Sequence, residues 1–181
     1  MNRASRGRQA ARALARIPRA AWAWLALAGL ALGMEAVALY YQYRLDYYPC
    51  VLCIHVRVGV AGLALAALVG LAVRRARAAR LVAQVMVVLL SAWMLERAWR
   101  LLGTERGFLE ASCDFDAGLP AWLALDQWFP ALFGVQEACG YTPPLPLGLT
   151  MAEALLGLFA ALLACALACL IADALSRSGP D

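Results

Sequence analysis

Four apolar runs constrain this chain more than any other feature: about Ala20–Tyr41, Val51–Val73, Leu81–Leu102 and Leu147–Ile171. Each matches the roughly 20 helical residues needed to cross about 30 Å of hydrocarbon. Hydrophobic side chains make up 64% of the 181 residues, against the roughly half expected of a soluble domain. The expected fold is therefore an all-α membrane protein, a four-transmembrane-helix bundle forming a single integral membrane domain over residues 1–181. The first run lacks a small-residue cleavage pattern followed by soluble sequence, so it reads as a retained helix and not as a signal peptide.

Arginine placement sets the expected orientation, because positive residues in short flanks stay on the cytoplasmic side. Arg3, Arg6, Arg8, Arg12, Arg16 and Arg19 precede the first run, and the link after the second holds Arg74, Arg75, Arg77 and Arg80. Both segments should face the cytoplasm, as should both termini, with Arg177 near the second. Two loops then lie outside, a short one around Arg44 to Pro49 and a long one from about 103 to 146. The long loop is acidic, with Glu105, Glu110, Asp114, Asp116, Asp126 and Glu137 against Arg106 alone. The basic stretches flank spans and carry no groove-reading motif, so they are topogenic and no nucleic-acid partner is expected.

Cysteine placement follows from this topology. Cys50 and Cys53 fall at the outer start of the second helix, Cys113 and Cys139 in the long outer loop, and Cys165 and Cys169 inside the fourth helix. The first four face a compartment where disulfides persist. A CxxC at a helix start meets unpaired N–H groups and partial positive charge, which favour a thiolate. Pro49 suits the entry to such a helix. Arg57 lies four residues after Cys53, on the same face and about one turn deeper, where its guanidinium could attract a thiolate or an anionic, reduced electron acceptor. A charge there reads as functional, with snorkelling to the interface as the alternative. Glu35, inside the first run, either pairs with an arginine in the bundle or faces a polar cavity.

Plainer readings stand beside these. The CxxC could be a structural disulfide or half a zinc site, but no second CxxC or histidine cluster supplies the remaining ligands, and no metal is expected. His55 is not placed for haem attachment and reads as a packed or interfacial residue. Cys113 and Cys139 alone would staple a loop. Cys165 and Cys169, at i and i+4, have Cβ atoms about 5–6 Å apart, too far for a relaxed disulfide, and read as small packing residues.

"PCVLCIHVR" followed by "ASCDFDAGLPAWLALDQWFPALFGVQEAC" resembles the disulfide bond formation protein B (DsbB) family of bacterial inner-membrane quinone reductases. The likeness includes the CVLC pair, the arginine four residues on, the Cys113-Asp114-Phe115 triplet, the tryptophan-flanked run from Trp122 to Trp128, and Cys139. Glu35 and Gln42 stand at family-like distances before the CxxC. Val56 departs from the pattern, standing where known members carry a glutamate, and no histidine occurs near the end of the third helix.

The resemblance implies a membrane thiol:quinone oxidoreductase that reoxidises a DsbA-like periplasmic thiol oxidase. Its catalytic residues would be Cys50, Cys53, Cys113 and Cys139. Cys113 would meet DsbA, electrons would pass from Cys113/Cys139 to Cys50/Cys53, and Cys53 with Arg57 would serve a quinone, ubiquinone or menaquinone, drawn from the membrane pool. The aromatic-rich segment from Gly118 to Gly134 is too short to span and is expected to lie on the outer membrane surface as a short interfacial helix, keeping the loop near the quinone. A vitamin K epoxide reductase type would order its cysteine pairs the other way round. A non-catalytic scaffold would not explain the placement of Arg57.

Overall fold

The structure, a computed structural model, describes residue 9 and residues 12–110, 116–145 and 148–176. Cys113, Asp114, Phe115, Arg3, Arg6, Arg8 and Arg177 lie outside the described residues. Four helices are long and apolar enough to cross a membrane: α1 (Ala21–Arg44), α2 (Val51–Val73), α3 (Arg77–Glu105) and α6 (Met151–Leu175). Two one-turn helices, α4 (Leu125–Trp128) and α5 (Pro130–Phe133), follow a 3-10 turn at Ala121–Leu123 in the long loop. Among the described residues no strand occurs, only a single isolated bridge, Pro144 to Thr150. The protein is an all-α, four-helix membrane protein.

Local chemistry sets the helix ends. Cys50 caps α2, its sulfur accepting from the Cys53 N–H at 3.4 Å. A Schellman motif closes α3: Phe108 N–H bonds Gly103 O at 3.0 Å, Gly107 N–H bonds Thr104 O at 3.2 Å, and Gly107 takes the required left-handed φ of 74°. A capping box opens α6, with the Glu153 N–H donating to Thr150 Oγ1 at 3.3 Å and the Thr150 N–H to Glu153 Oε2 at 3.0 Å. These caps shift two boundaries from expectation. The third helix begins at Arg77 and runs to Glu105, and the fourth begins at Met151 and runs to Leu175.

The helices pack in series, α1 on α2, α2 on α3 and α3 on α6. The shared core is built of Trp24, Ala28 and Ala31 from α1, Val60, Leu63 and Ala67 from α2, Val87, Met94 and Ala98 from α3, and Phe159 from α6. Alanine recurs on α1, α2 and α3 because lipid offers no hydrophobic drive for helix association, so close backbone approach must supply the contact. Gly70 shows this directly: a Cβ there would overlap the ring of Trp24, whose Nε1–H donates to Pro18 O at 2.8 Å. Leu25, Leu32, Leu65, Leu68, Leu89 and Ile171 face outward, an apolar surface suited to lipid.

The end of the bundle away from the CxxC is locked by a buried carboxylate. Asp173, fully buried on α6, accepts from Arg80 Nε at 2.8 Å, Arg80 Nη2 at 3.2 Å, Gln84 Nε2 at 2.9 Å and Arg19 Nη2 at 3.2 Å. Arg80 is therefore not a linker residue, as expected from sequence, but a buried member of the first turn of α3. Its pairing follows from the later end of α6, which carries Asp173 within reach of the arginine end.

Candidate functional site

The opposite end gathers the sulfurs. The Cys50 and Cys53 sulfurs lie 2.7 Å apart, and Cys139 packs against Cys50 in the same small cluster. Two backbone bonds hold the Cys139 loop over the helix mouth, from Gln136 N–H and Glu137 N–H to Pro49 O at 3.0 and 3.3 Å. Three of the four cysteines picked out from sequence thus meet, and the fourth, Cys113, is outside the described residues.

This crowding changes the electrostatics expected of a helix start. The hydrogen bond from Cys139 favours a thiolate at Cys50, but the contact with Cys53 and burial outweigh it and push the Cys50 thiol well above its ordinary range. Cys139 is pushed up in turn, first by its hydrogen bond to Cys50 and then by burial. The helix N-terminus does not make Cys50 acidic.

Beside the thiols opens a cavity of about 550 Å³ between α1, α2 and α6, bordered by Cys53, Arg57 and Glu35. Its walls are otherwise mainly apolar, including Leu30, Met34, Val60, Leu155 and Leu158. Gly29 and Gly33 widen it, since nothing lies within 4 Å of where their Cβ atoms would sit. Tyr47 and Tyr141, stacked with ring centroids 6.2 Å apart, stand at its border.

Arg57 is buried and does not snorkel. Its Nη1 donates to Gln42 Oε1 at 2.6 Å and to Leu132 O at 2.9 Å, and its Nη2 donates to Ala38 O at 3.1 Å. Gln42 Nε2 continues the network to Gln136 Oε1 at 3.0 Å, and Tyr43 donates its hydroxyl to Ala131 O at 2.6 Å. These bonds strap the α4–α5 segment across α1 and α2. The expected single interfacial helix is instead broken before Pro130, and it keeps Trp122, Trp128 and Phe129 exposed.

Glu35 meets neither expected fate in full: it forms no ion pair among the described residues, and the cavity it faces is mainly apolar. His55 packs against Trp93, with ring centroids 6.1 Å apart, and its Nε2 lies 2.7 Å from Ala117 O, a packed residue as expected. Cys165 is exposed at the bundle surface and Cys169 half-buried; both border a smaller cavity of about 200 Å³ between α1, α3 and α6. Sequence reading missed Asp173 and Gln84. The signal was present, because an acid at the end of an apolar run requires a partner, and the arginines at the same end supply it.

A four-helix membrane bundle with thiols in contact at one end, beside an apolar cavity holding a buried arginine, defines a membrane protein built for thiol–disulfide chemistry. The family model described as Disulfide bond formation protein DsbB matches residues 20–169. The chain belongs to the DsbB family. It is 33% identical over 152 residues to Disulfide bond formation protein B of a Shewanella species, covering 83% of this chain and 87% of the relative. The protein of the same name from Pectobacterium atrosepticum is 37% identical over 165 residues, covering 90% and 92% of the two chains. That from Shewanella denitrificans is 37% identical over 132 residues, 72% of this chain and 75% of the relative.

Proposed function

We propose that the chain is a thiol:quinone oxidoreductase of the bacterial inner membrane that reoxidises a DsbA-like periplasmic oxidase. The observation that carries this reading is the contact order: Cys139 touches Cys50, Cys50 touches Cys53, and Cys53 borders the cavity that holds Arg57. The partner's thiolate attacks Cys113 of the Cys113–Cys139 disulfide and releases Cys139. The partner's second thiol resolves that bond and leaves both loop cysteines reduced. Cys139 then attacks Cys50 of the Cys50–Cys53 disulfide and frees Cys53, and Cys113 resolves the Cys139–Cys50 bond. One disulfide has moved to the partner and two electrons rest on Cys50 and Cys53.

The cavity fits a lipid-soluble ligand with a polar head. Its walls are mainly apolar, its volume is in the range of small-molecule sites, and Arg57 and Glu35 border it together with Cys53. A bound quinone would supply the two-electron acceptor. Arg57 would orient the head, since Gln42 and two backbone carbonyls fix the guanidinium and one face of the cavity is left to it. The arginine-rich end faces the cytoplasm with both termini, and the cysteines face the periplasm.

Purified protein incubated anaerobically with a reduced DsbA-like partner and with ubiquinone or menaquinone, followed by thiol trapping, tests the reading. Oxidation of the partner that depends on quinone is expected. Partner oxidation that ignores added quinone, or no exchange with the partner, overturns it.

A further inference from the structure

One group in the cavity has no part in the thiol relay. Glu35 Oε1 is buried and has no hydrogen-bond partner, although Arg57 borders the same cavity. The hydrogen bonds of Arg57 go instead to Gln42, Ala38 and Leu132. An ionisable side chain within a membrane span, left without a partner at a cavity wall, is retained for what it does there.

Resting on the quinone reading above, we propose that Glu35 is the proton carrier of the cavity, giving the proton held on its carboxyl to a carbonyl oxygen of the quinone headgroup. Closing the Cys50–Cys53 disulfide removes two electrons and two protons from the thiols. Converting two quinone carbonyls to hydroxyls takes up two of each, so the reaction balances without another reactant. Glu35 passes one proton inward and is reloaded by one released at the sulfurs, while the second pair exchanges with water at the cavity mouth.

Few other groups facing the cavity could do this. Tyr41 faces it from α1, Cys53 and Arg57 from α2, and Tyr47, Tyr48, Glu137 and Tyr141 from the flanking segments; α3 and α6 contribute only apolar side chains. Glu137 is the other carboxyl, but it is exposed in the loop. Cys53 is consumed in the disulfide, and Arg57 stays protonated. Of these groups, Glu35 alone combines a carboxyl on a membrane-spanning helix with a buried, unpartnered oxygen.

The test compares wild type, Glu35→Gln and Glu35→Asp in lipid nanodiscs. In protein stripped of quinone, infrared spectra should show a protonated carboxyl band that shifts in D₂O and disappears in Glu35→Gln. With a short-chain benzoquinone, Glu35→Gln should slow reoxidation of reduced Cys50–Cys53 on the order of a hundredfold near neutral pH. Quinone binding, read by tryptophan quenching, should be retained, and Glu35→Asp should recover part of the rate. Wild-type rates in Glu35→Gln, or no infrared band lost in it, would overturn the proton role. So would loss of quinone binding, which would make Glu35 a binding group. A wild type that shows the band but never reduces quinone would sink the parent reading, and this one with it.

Discussion

Arg57 on α2 donates to Gln42 Oε1 on α1 at 2.6 Å, and this bond crosses the bundle beside the thiols. From sequence, Arg57 stood out through its spacing from Cys53, its charge within a span and its place in the DsbB-like pattern. In the fold it is the crossing point of three segments, because Leu132 O from the loop and Ala38 O from α1 share the same guanidinium. A lysine could satisfy only part of this set, since it lacks the planar fork. The same bonds that hold the charge in the cavity also hold the loop near the helix mouth, so positioning of charge and positioning of Cys139 are coupled.

The lock at the far end should be structural. Asp173→Ala would leave Arg80 buried without its carboxylate, which costs about 3–5 kcal/mol. The thermal midpoint in detergent should fall, while the double variant Arg80→Met with Asp173→Leu should recover much of the loss, because apolar replacement of a buried pair is often neutral. A midpoint unchanged in Asp173→Ala would show that the pair contributes nothing.

Much of this architecture was legible in the sequence because a membrane imposes a simple length rule on helices. The four spans, their order and the segregation of arginines from cysteines all follow from it. The boundaries were less legible where polar residues continue a helix. Arg77, Arg80 and Glu105 lie in α3 beyond the expected run: Arg80 bonds Asp173 and the Arg74 carbonyl, Arg77 reaches the Asp173 and Ala174 carbonyls, and Glu105 accepts from Thr142. Hydropathy could not show that Arg57 is spent on Gln42 and two carbonyls, or that Glu35 is left out, since both depend on how α1 rotates against α2. The raised Cys139 thiol was also hidden, because it arises first from Cys50, a contact made across 89 residues of chain.

Gly33 offers a test of the cavity that leaves folding intact. A Cβ at Gly33 would meet nothing within 4 Å, and removing a glycine from a helix interior gains roughly 0.5–1 kcal/mol. Gly33→Leu should therefore melt no lower than wild type yet require more quinone for half-maximal turnover. An unchanged quinone requirement would place the ligand elsewhere.

Thiol reactivity should follow the contact order. Alkylation proceeds through the thiolate, and Cys139 is held above its ordinary range first by Cys50 and then by burial. Its reaction with iodoacetamide should be slow at neutral pH and rise on the alkaline side. Cys50→Ala removes the larger cause, so the rise should move to lower pH. Identical pH profiles in the two proteins would mean that Cys139 and Cys50 do not meet in solution.

Orientation can be read with a membrane-impermeant maleimide on spheroplasts. After reduction, half-buried Cys139 should label from outside, and Ala76→Cys, in the link between α2 and α3, should not. Labelling of Ala76→Cys without Cys139 would invert the topology inferred from the arginines.

The role of the Arg57 charge separates from that of its bonds through three variants. Arg57→Met removes both, Arg57→Lys keeps the charge without the fork, and Gln42→Leu keeps Arg57 but removes its shortest bond. If the charge orients a quinone head, Arg57→Met should raise the apparent quinone requirement most and Arg57→Lys less, while Cys113–Cys139 still exchanges with the partner. Gln42→Leu leaves a buried charged donor short of an acceptor, a loss of about 1.5–3 kcal/mol, and should loosen both the cavity and the loop. Its quinone requirement should fall between wild type and Arg57→Met, accompanied by slower exchange between Cys139 and Cys50, which the lysine variant should show less strongly. Superimposable quinone titrations for wild type, Arg57→Lys and Arg57→Met would reduce Arg57 to a brace between α1, α2 and the loop.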